Sequence, residues 1–252
     1  MRRIVLAAAL IPCAILLTAC GSNSAATAST SSAANGAAGA SNAGLTQTQL
    51  LARFKTALAT TTAIHFKGTM SQGSGSVGLD LQINKDGSAE GTIISSGMTV
   101  PLKVVGGVDY VQVTGSLAAA IKSEAGSDAA LIGQIVDGKW ISSKSSIGSS
   151  LTSSFSGLTN FSAMTQQLGT ASGDTFTYLD TSTLNGQQVA QYKDVSTSNG
   201  SSSTYTMDIP LTGDPLPIEQ VGASGGSVTF TWNQPTKVTA PAAADIINLP
   251  SA

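Results

Sequence analysis

Val77-Gly78-Leu79-Asp80-Leu81-Gln82-Ile83-Asn84-Lys85-Asp86-Gly87 is the stretch whose pattern decides the fold class. Val77, Leu79, Leu81 and Ile83 alternate strictly with small or polar partners, and successive side chains of a strand point to opposite faces. Such a segment buries one face and wets the other. Asn84-Lys85-Asp86-Gly87 then reverses the chain, with Gly87 supplying the positive φ of a tight turn. Beyond it Ala89 to Ser95 resumes as a strand, and Val100, Leu102 and Val104 alternate again. Gly106-Gly107 turns the chain into Val108 to Val113, and upstream Ile64 to Met70 is rich in β-branched and aromatic residues. Connections this short predict an antiparallel meander, because parallel neighbours need long crossovers.

Before the meander, Thr46 to Thr60 reads as a helix. Leu50, Leu51, Phe54, Ala57 and Leu58 share one face, and Thr46 or Thr48 caps the start. After it comes an interlude. Ser116 to Ala125, Asp128 to Val136 and Leu158 to Leu168 are candidate helices, with a short strand at Lys139-Trp140-Ile141-Ser142 between them. Strand patterns return at Thr175 to Leu179, Gln187 to Val195, Ser203 to Ile209, Pro217 to Val221 and Ser227 to Trp232. Asn185-Gly186 is a strong hairpin signal, and Gly225-Gly226 marks another turn. One helix, a run of strands, a helical interlude and more strands predict an α+β domain with a large curved antiparallel sheet.

The two ends of the N-terminal region have different characters. Arg2 and Arg3 precede an uncharged apolar run, Ile4 to Leu17, and then Leu17-Thr18-Ala19-Cys20. A positive start, a short greasy run and small residues before a cut describe an export signal, residues 1–19. The run is short for a membrane-crossing helix, which needs about 20 apolar residues. Leu17-Thr18-Ala19-Cys20 resembles the lipobox of bacterial lipoproteins, which implies a lipid anchor on Cys20 and a place on the outer, extracytoplasmic face of the cell membrane. Residues 21–44 are almost entirely Ser, Ala, Gly, Thr and Asn and are expected to act, with Cys20, as a disordered tether. A single domain is expected from Leu45 to Ala252.

Composition narrows the partners. Loss of Arg2 and Arg3 with the signal reduces 12 basic residues to 10 against 14 acidic ones, a net charge of −4. That argues against nucleic acid and against a polybasic membrane patch, and leaves the Cys20 lipid as the membrane partner. Cys13 falls in the signal and Cys20 is acylated, so no cysteine is left for a disulfide or for catalysis. Charged residues make up only 10% of the chain, so the surface is wetted chiefly by hydroxyls. Nothing in the sequence sets an oligomeric state.

Two spellings suggest chemistry. Gly73-Ser74-Gly75-Ser76-Val77-Gly78 spells a dinucleotide-binding loop, but that motif requires a helix after it and a strand pattern follows. Gly222-Ala223-Ser224-Gly225-Gly226 spells a hydrolase elbow, which requires a helix and a later histidine. A strand follows Ser224, and the one histidine, His65, lies far before it. Both spellings read as turns. His65 has no second histidine or cysteine to share a metal with, and on a strand it faces away from Ile64 and Phe66. The acids are scattered, without a calcium-loop spacing. No enzyme, metal site or cofactor is expected.

Several pieces then coincide: the lipobox and tether, one helix, Phe66-Lys67-Gly68, Gly107-Val108-Asp109-Tyr110-Val111, Asp137-Gly138-Lys139-Trp140-Ile141, and the closing Val228-Thr229-Phe230-Thr231-Trp232-Asn233-Gln234-Pro235 with Val238 and Pro241. Together they resemble the actinobacterial LppX/LprG lipoprotein family, whose domains are similar to the lipoprotein carrier LolA. The resemblance covers most of Leu45 to Pro250. It implies a strongly curved antiparallel sheet, a half-barrel, covered on its concave face by helices. It also implies an apolar cavity in which a lipid or glycolipid is bound or carried. The candidate cavity lining is Val77, Leu79, Leu81, Ile83, Val100, Leu102 and Val104. The same seven would face inward in a filled core. The alternative function is a cell-surface interaction or sensor module without a lipid ligand.

Overall fold

The computed structural model describes residues 40–72, 75–119, 137–153, 155–170, 175–198 and 201–247. Cys20, the export signal, most of the tether and the candidate helix at Asp128 to Val136 lie outside the described residues.

The first element is α1 (Gln47–Thr60). Thr46 rather than Thr48 caps it. The Thr46 hydroxyl accepts from the Gln49 amide, and Gln49 Oε1 accepts from the Thr46 amide at 3.0 Å, so two otherwise orphaned donors are satisfied reciprocally. Leu50, Phe54, Ala57 and Leu58 are its buried face.

The expected meander follows as β1 (Ala63–Gln72), β2 (Gly75–Asn84), β3 (Ala89–Ser95), β4 (Met98–Val105) and β5 (Val108–Gln112), each antiparallel to the next. Residues 115–119 are helical, which places the start of the Ser116 to Ala125 candidate, and the rest of it lies outside the described residues. Then come β6 (Trp140–Ser142), α2 (Ser146–Ser153), α3 (Ser156–Thr159) and α4 (Phe161–Thr170).

The single helix expected over Leu158 to Leu168 is broken at Asn160, which is extended (φ −95°, ψ 113°). Its Oδ1 accepts from the Ala163 amide at 2.9 Å. An asparagine gains more by capping a new helix than by lying inside one.

The second half adds β7 (Thr175–Leu184), β8 (Gln187–Ser198), β9 (Ser201–Pro210), β10 (Glu219–Gly222) and β11 (Gly226–Trp232). β7 continues five residues past the expected Leu179, because an irregularity between Tyr178 and Asp180 absorbs the break in its alternation. Asn185 and Gly186 both have positive φ (49° and 83°), the conformation of the expected two-residue hairpin. A last short strand, β12 (Ile246–Ile247), runs parallel to β6.

All twelve strands form one sheet in the order β12-β6-β5-β4-β3-β2-β1-β11-β10-β9-β8-β7. It is two antiparallel meanders joined where β1 pairs with β11, and its ends, β12 and β7, do not pair with each other. Side chains from the helices meet one face of it. Leu151, Phe155 and Phe161 pack with Leu81, Ile93, Leu102 and Val111 in the largest apolar cluster. Among the described residues no helix is long and apolar enough to cross a membrane.

Ordered packing begins before Leu45, which differs from the expected tether. Asn42 is wholly buried: its amide donates to the Leu211 carbonyl at 2.8 Å and its side-chain Nδ2 to Pro210 and Gly213.

Candidate functional site

The apolar interior is divided. One cluster fills the face of β1 to β6, a second gathers Leu50, Ala190, Tyr192, Met207 and Ile209, and a third gathers Phe54, Ala57, Leu58 and Leu216. Residues of all three border a cavity of about 280 Å³. A protein interior is ordinarily packed without voids much larger than a water molecule, so a space of this size is a feature of the fold.

Its roof is helical: Leu50, Leu51 and Phe54 of α1, Leu158 of α3 and Met164 of α4. Its floor is the sheet, with Phe66 and Met70 of β1, Leu79 of β2, Val228 and Phe230 of β11, Met207 of β9 and Phe176 of β7. Pro217 completes the apolar wall. The register explains why these meet. Leu79 pairs with Gly68, which pairs with Val228, while Gln220 joins Val228 to Met207.

Trp232 steadies the wall. Its ring stacks on Phe230 at 6.0 Å between centroids, and its Nε1 donates to the Pro217 carbonyl at 2.6 Å. Met70, one of the lining residues, is 41% exposed.

Thirteen of the seventeen lining residues are apolar, and the four polar ones, Asp194, Ser196, Tyr205 and Gln220, gather on β8, β9 and β10. Asp194 pairs with Tyr205 in the ladder, is 6% exposed, and its Oδ2 accepts from Gln220 Nε2 at 3.4 Å. The site is thus greasy at one end and hydrogen-bonding at the other.

Of the seven residues named from the sequence, all are buried, and Leu79 alone lines this cavity. Val77, Leu81, Ile83, Val100, Leu102 and Val104 sit in the filled cluster. Leu102 and Val104 border a crevice of only about 10 Å³ beside Phe155. The α1 residues belong to the helix face read from periodicity, but Asp194, Tyr205, Met207 and Gln220 were not anticipated. A faint signal existed in the alternation of Ala190, Tyr192 and Asp194, where an acid follows two inward positions.

A second, wider and more polar opening of about 800 Å³ is bordered by other residues of α3 and α4, Ser156, Thr159, Phe161 and Thr165. Leu58, Lys85, Asp86, Val104, Asp109 and Phe161 are among the residues at its edges. Burial raises the pKa of Asp109 above the usual carboxylate value.

On the opposite face of β1, His65 Nε2 lies 2.7 Å from Asp80 Oδ1, and Lys67 Nζ is 2.9 Å from Asp80 Oδ2. The hydrogen bond with His65, then that with Lys67, lowers the Asp80 pKa. All three side chains are more than a third exposed, so this is a surface ion cluster of small energetic weight.

Ser224 is exposed in the turn between β10 and β11, and no histidine lines the shallow pocket around it. The first glycine-rich spelling runs into β2, a strand, although Gly73 and Ser74 themselves lie outside the described residues. Among the described residues no three His, Cys, Asp or Glu side chains are grouped so as to hold a metal.

No family model and no curated protein sequence matches the chain. Solved structures do. Lipoprotein LppX of Mycobacterium tuberculosis is 16% identical, with 77% of this chain and 100% of that one covered and a TM-score of 0.46. LprF from Mycobacterium bovis is 11% identical, with 77% and 96% covered and a TM-score of 0.47. A putative outer membrane lipoprotein-sorting protein domain from Vibrio parahaemolyticus is 10% identical, with 73% and 89% covered and a TM-score of 0.25.

Proposed function

We propose that this chain is a non-enzymatic extracytoplasmic lipoprotein that binds or carries a lipid or glycolipid. The acyl chain lies in the cavity between α1, α3, α4 and the sheet, on the concave side of a curved half-barrel. Cys20 carries the anchor, on the outer face of the membrane. The observation that carries the reading is the apolar cavity of about 280 Å³ itself.

The magnitudes are those of one chain. A water-sized unit takes roughly 30 Å³, so the cavity accommodates on the order of ten methylene-sized groups. At about 0.8 kcal/mol per buried CH₂, ten of them yield roughly 8 kcal/mol. Association costs at least about 4 kcal/mol, so a bare chain is held weakly and the polar end must contribute. Weak holding suits a carrier, which must also release.

Native mass spectrometry of the gently purified full chain tests this. A lipid-sized adduct is expected, together with uptake of a fluorescently tagged medium-chain monoacylglycerol. The absence of both the adduct and the uptake would overturn the reading. Among the described residues, the large apolar side chains exposed outside the cavity, Ile94, Leu179 and Val221, lie on β3, β7 and β10, which are not neighbours in the sheet. Scattered singly in this way, they give the interaction-module alternative no support.

A further inference from the structure

The filled part of the interior and the wall of the cavity are built from different side chains. Of the twenty residues buried in the cluster over β1 to β6, ten are Val or Ile and none is Met. Among the described residues that line the cavity, Val228 is the only one branched at Cβ, and three are methionines: Met70, Met164 and Met207. The chain has five methionines, and of the other two Met1 starts it and Met98 opens β4.

Resting on the acyl-chain reading above, we propose that Met70, Met164 and Met207 make the cavity accept acyl chains by bulk rather than by shape, so that bent and straight chains of equal length are held alike.

The physical reason lies in side-chain freedom. Val and Ile are stiff at χ1, so a wall built from them has one shape. Methionine is unbranched, turns about three bonds and carries a soft, polarizable sulfur, so it fills irregular space and refills it when the contents change. The three are also spread around the site. Met164 belongs to the roof, on α4, and the other two to the floor. β1, with Met70, and β9, with Met207, are three strand spacings apart in the sheet, about 14 Å. A double bond of cis geometry throws the far half of a chain sideways. On the roof, or on either side of the floor, a side chain is there that moves aside at little cost. In a stiff wall the same bend forces side chains off their rotamers or leaves a void, and both weaken binding.

The test uses the full chain carrying Cys20→Ser, so that it has no lipid of its own. The cis and trans isomers of a dodecenoylglycerol unsaturated at mid-chain compete against the tagged monoacylglycerol. They are equal in composition and differ in bend. In the parent chain the two are expected to displace the probe at concentrations within about threefold of each other. Met164→Ile together with Met207→Ile replaces two adaptable side chains by stiff ones and is expected to separate the isomers by about tenfold or more. Met207→Ile alone places a β-branched residue on a strand, which suits it, and is expected to carry the separation beyond about threefold. Met98→Ile, outside the cavity wall, is expected to leave the parent ratio unchanged. A parent chain that separates the isomers by more than about threefold overturns this inference and leaves the acyl-chain reading standing. An unchanged ratio in folded Met207→Ile also overturns it, whether or not the double variant folds, because the methionines are then ordinary filling. No uptake of the probe at all overturns both.

Discussion

The Tyr192 hydroxyl donates to the Asn42 carbonyl at 2.6 Å and accepts from the Leu45 amide at 3.0 Å. One wholly buried side chain on β8 thereby fastens the polypeptide that leads into α1, across 150 residues of sequence. Arg53 reinforces the clasp from the helix by donating to Ser41 and Asn42.

Tyr192→Phe keeps the ring and its edge contact with Tyr178, 5.6 Å between centroids, but leaves a buried carbonyl and an amide without this partner. The expected loss is about 1–3 kcal/mol, read as a drop of about 2–4 °C in Tm per kcal/mol for a domain of this size. An unchanged Tm would show that the clasp contributes nothing to stability.

How much of this was legible depends on the range of the cause. Alternation at Val77 to Ile83 and the Asn185-Gly186 turn are local, and both elements appear where the pattern puts them. Ser41 to Gly44 carries nothing but small and polar residues, and its order comes from Tyr192, Leu211 and Arg53, which no local pattern names. Asn160 reads as helix interior until its capping bond to Ala163 is seen. The same holds for the cavity. Periodicity assigns Leu79 and Leu102 to one inward face, and both are buried, but only the joining of β1 to β11 decides which of them borders empty space.

Leu79 and Leu102 should therefore respond differently to enlargement. Leu79→Phe fills part of the cavity, and uptake of the tagged monoacylglycerol is expected to fall by about tenfold or more, equivalent to some 1.4 kcal/mol. Leu102→Phe overpacks a filled cluster at a cost of about 1–3 kcal/mol in stability, with uptake per folded molecule unchanged. Equal losses of uptake in the two variants would mean that the cavity does not end at Leu79.

Gly68 sits where β1 passes between β2 and β11, with Leu79 on one side and Val228 on the other. Its φ is 156°, and a Cβ there would lie 1.9 Å from the Ser227 carbonyl oxygen and 2.7 Å from the Val228 Cα. Both are backbone atoms of the paired strand, so no rotamer change relieves the clash. Gly68→Ala is expected to cost more than about 3 kcal/mol, beyond the range of ordinary single substitutions. Urea unfolding would show it as a lowered midpoint or as failure to fold. A Gly87→Ala control, at a turn glycine with open space around it (φ 85°), is expected to cost distinctly less.

Asp109 yields the pH prediction. It lies on β5 opposite Val104, half-buried, and desolvation raises its pKa above that of the unfolded chain. The folded state then holds this proton more tightly than the unfolded state does. Below the unfolded value, about 3.9, both states are protonated and the residue costs nothing. As pH rises from there through the raised folded value, the unfolded chain ionises first and the folded state is progressively penalised, with the full penalty reached above the folded pKa. Asp109→Asn removes the ionisable group and keeps the shape. The variant should be more stable than the parent at pH 7, by less than about 1 kcal/mol because solvent reaches the side chain, and should show no gain near pH 3. Thermal unfolding at both pH values checks it, and a variant destabilised at pH 7 would mean that the ionised carboxylate makes a favourable contact that outweighs its burial.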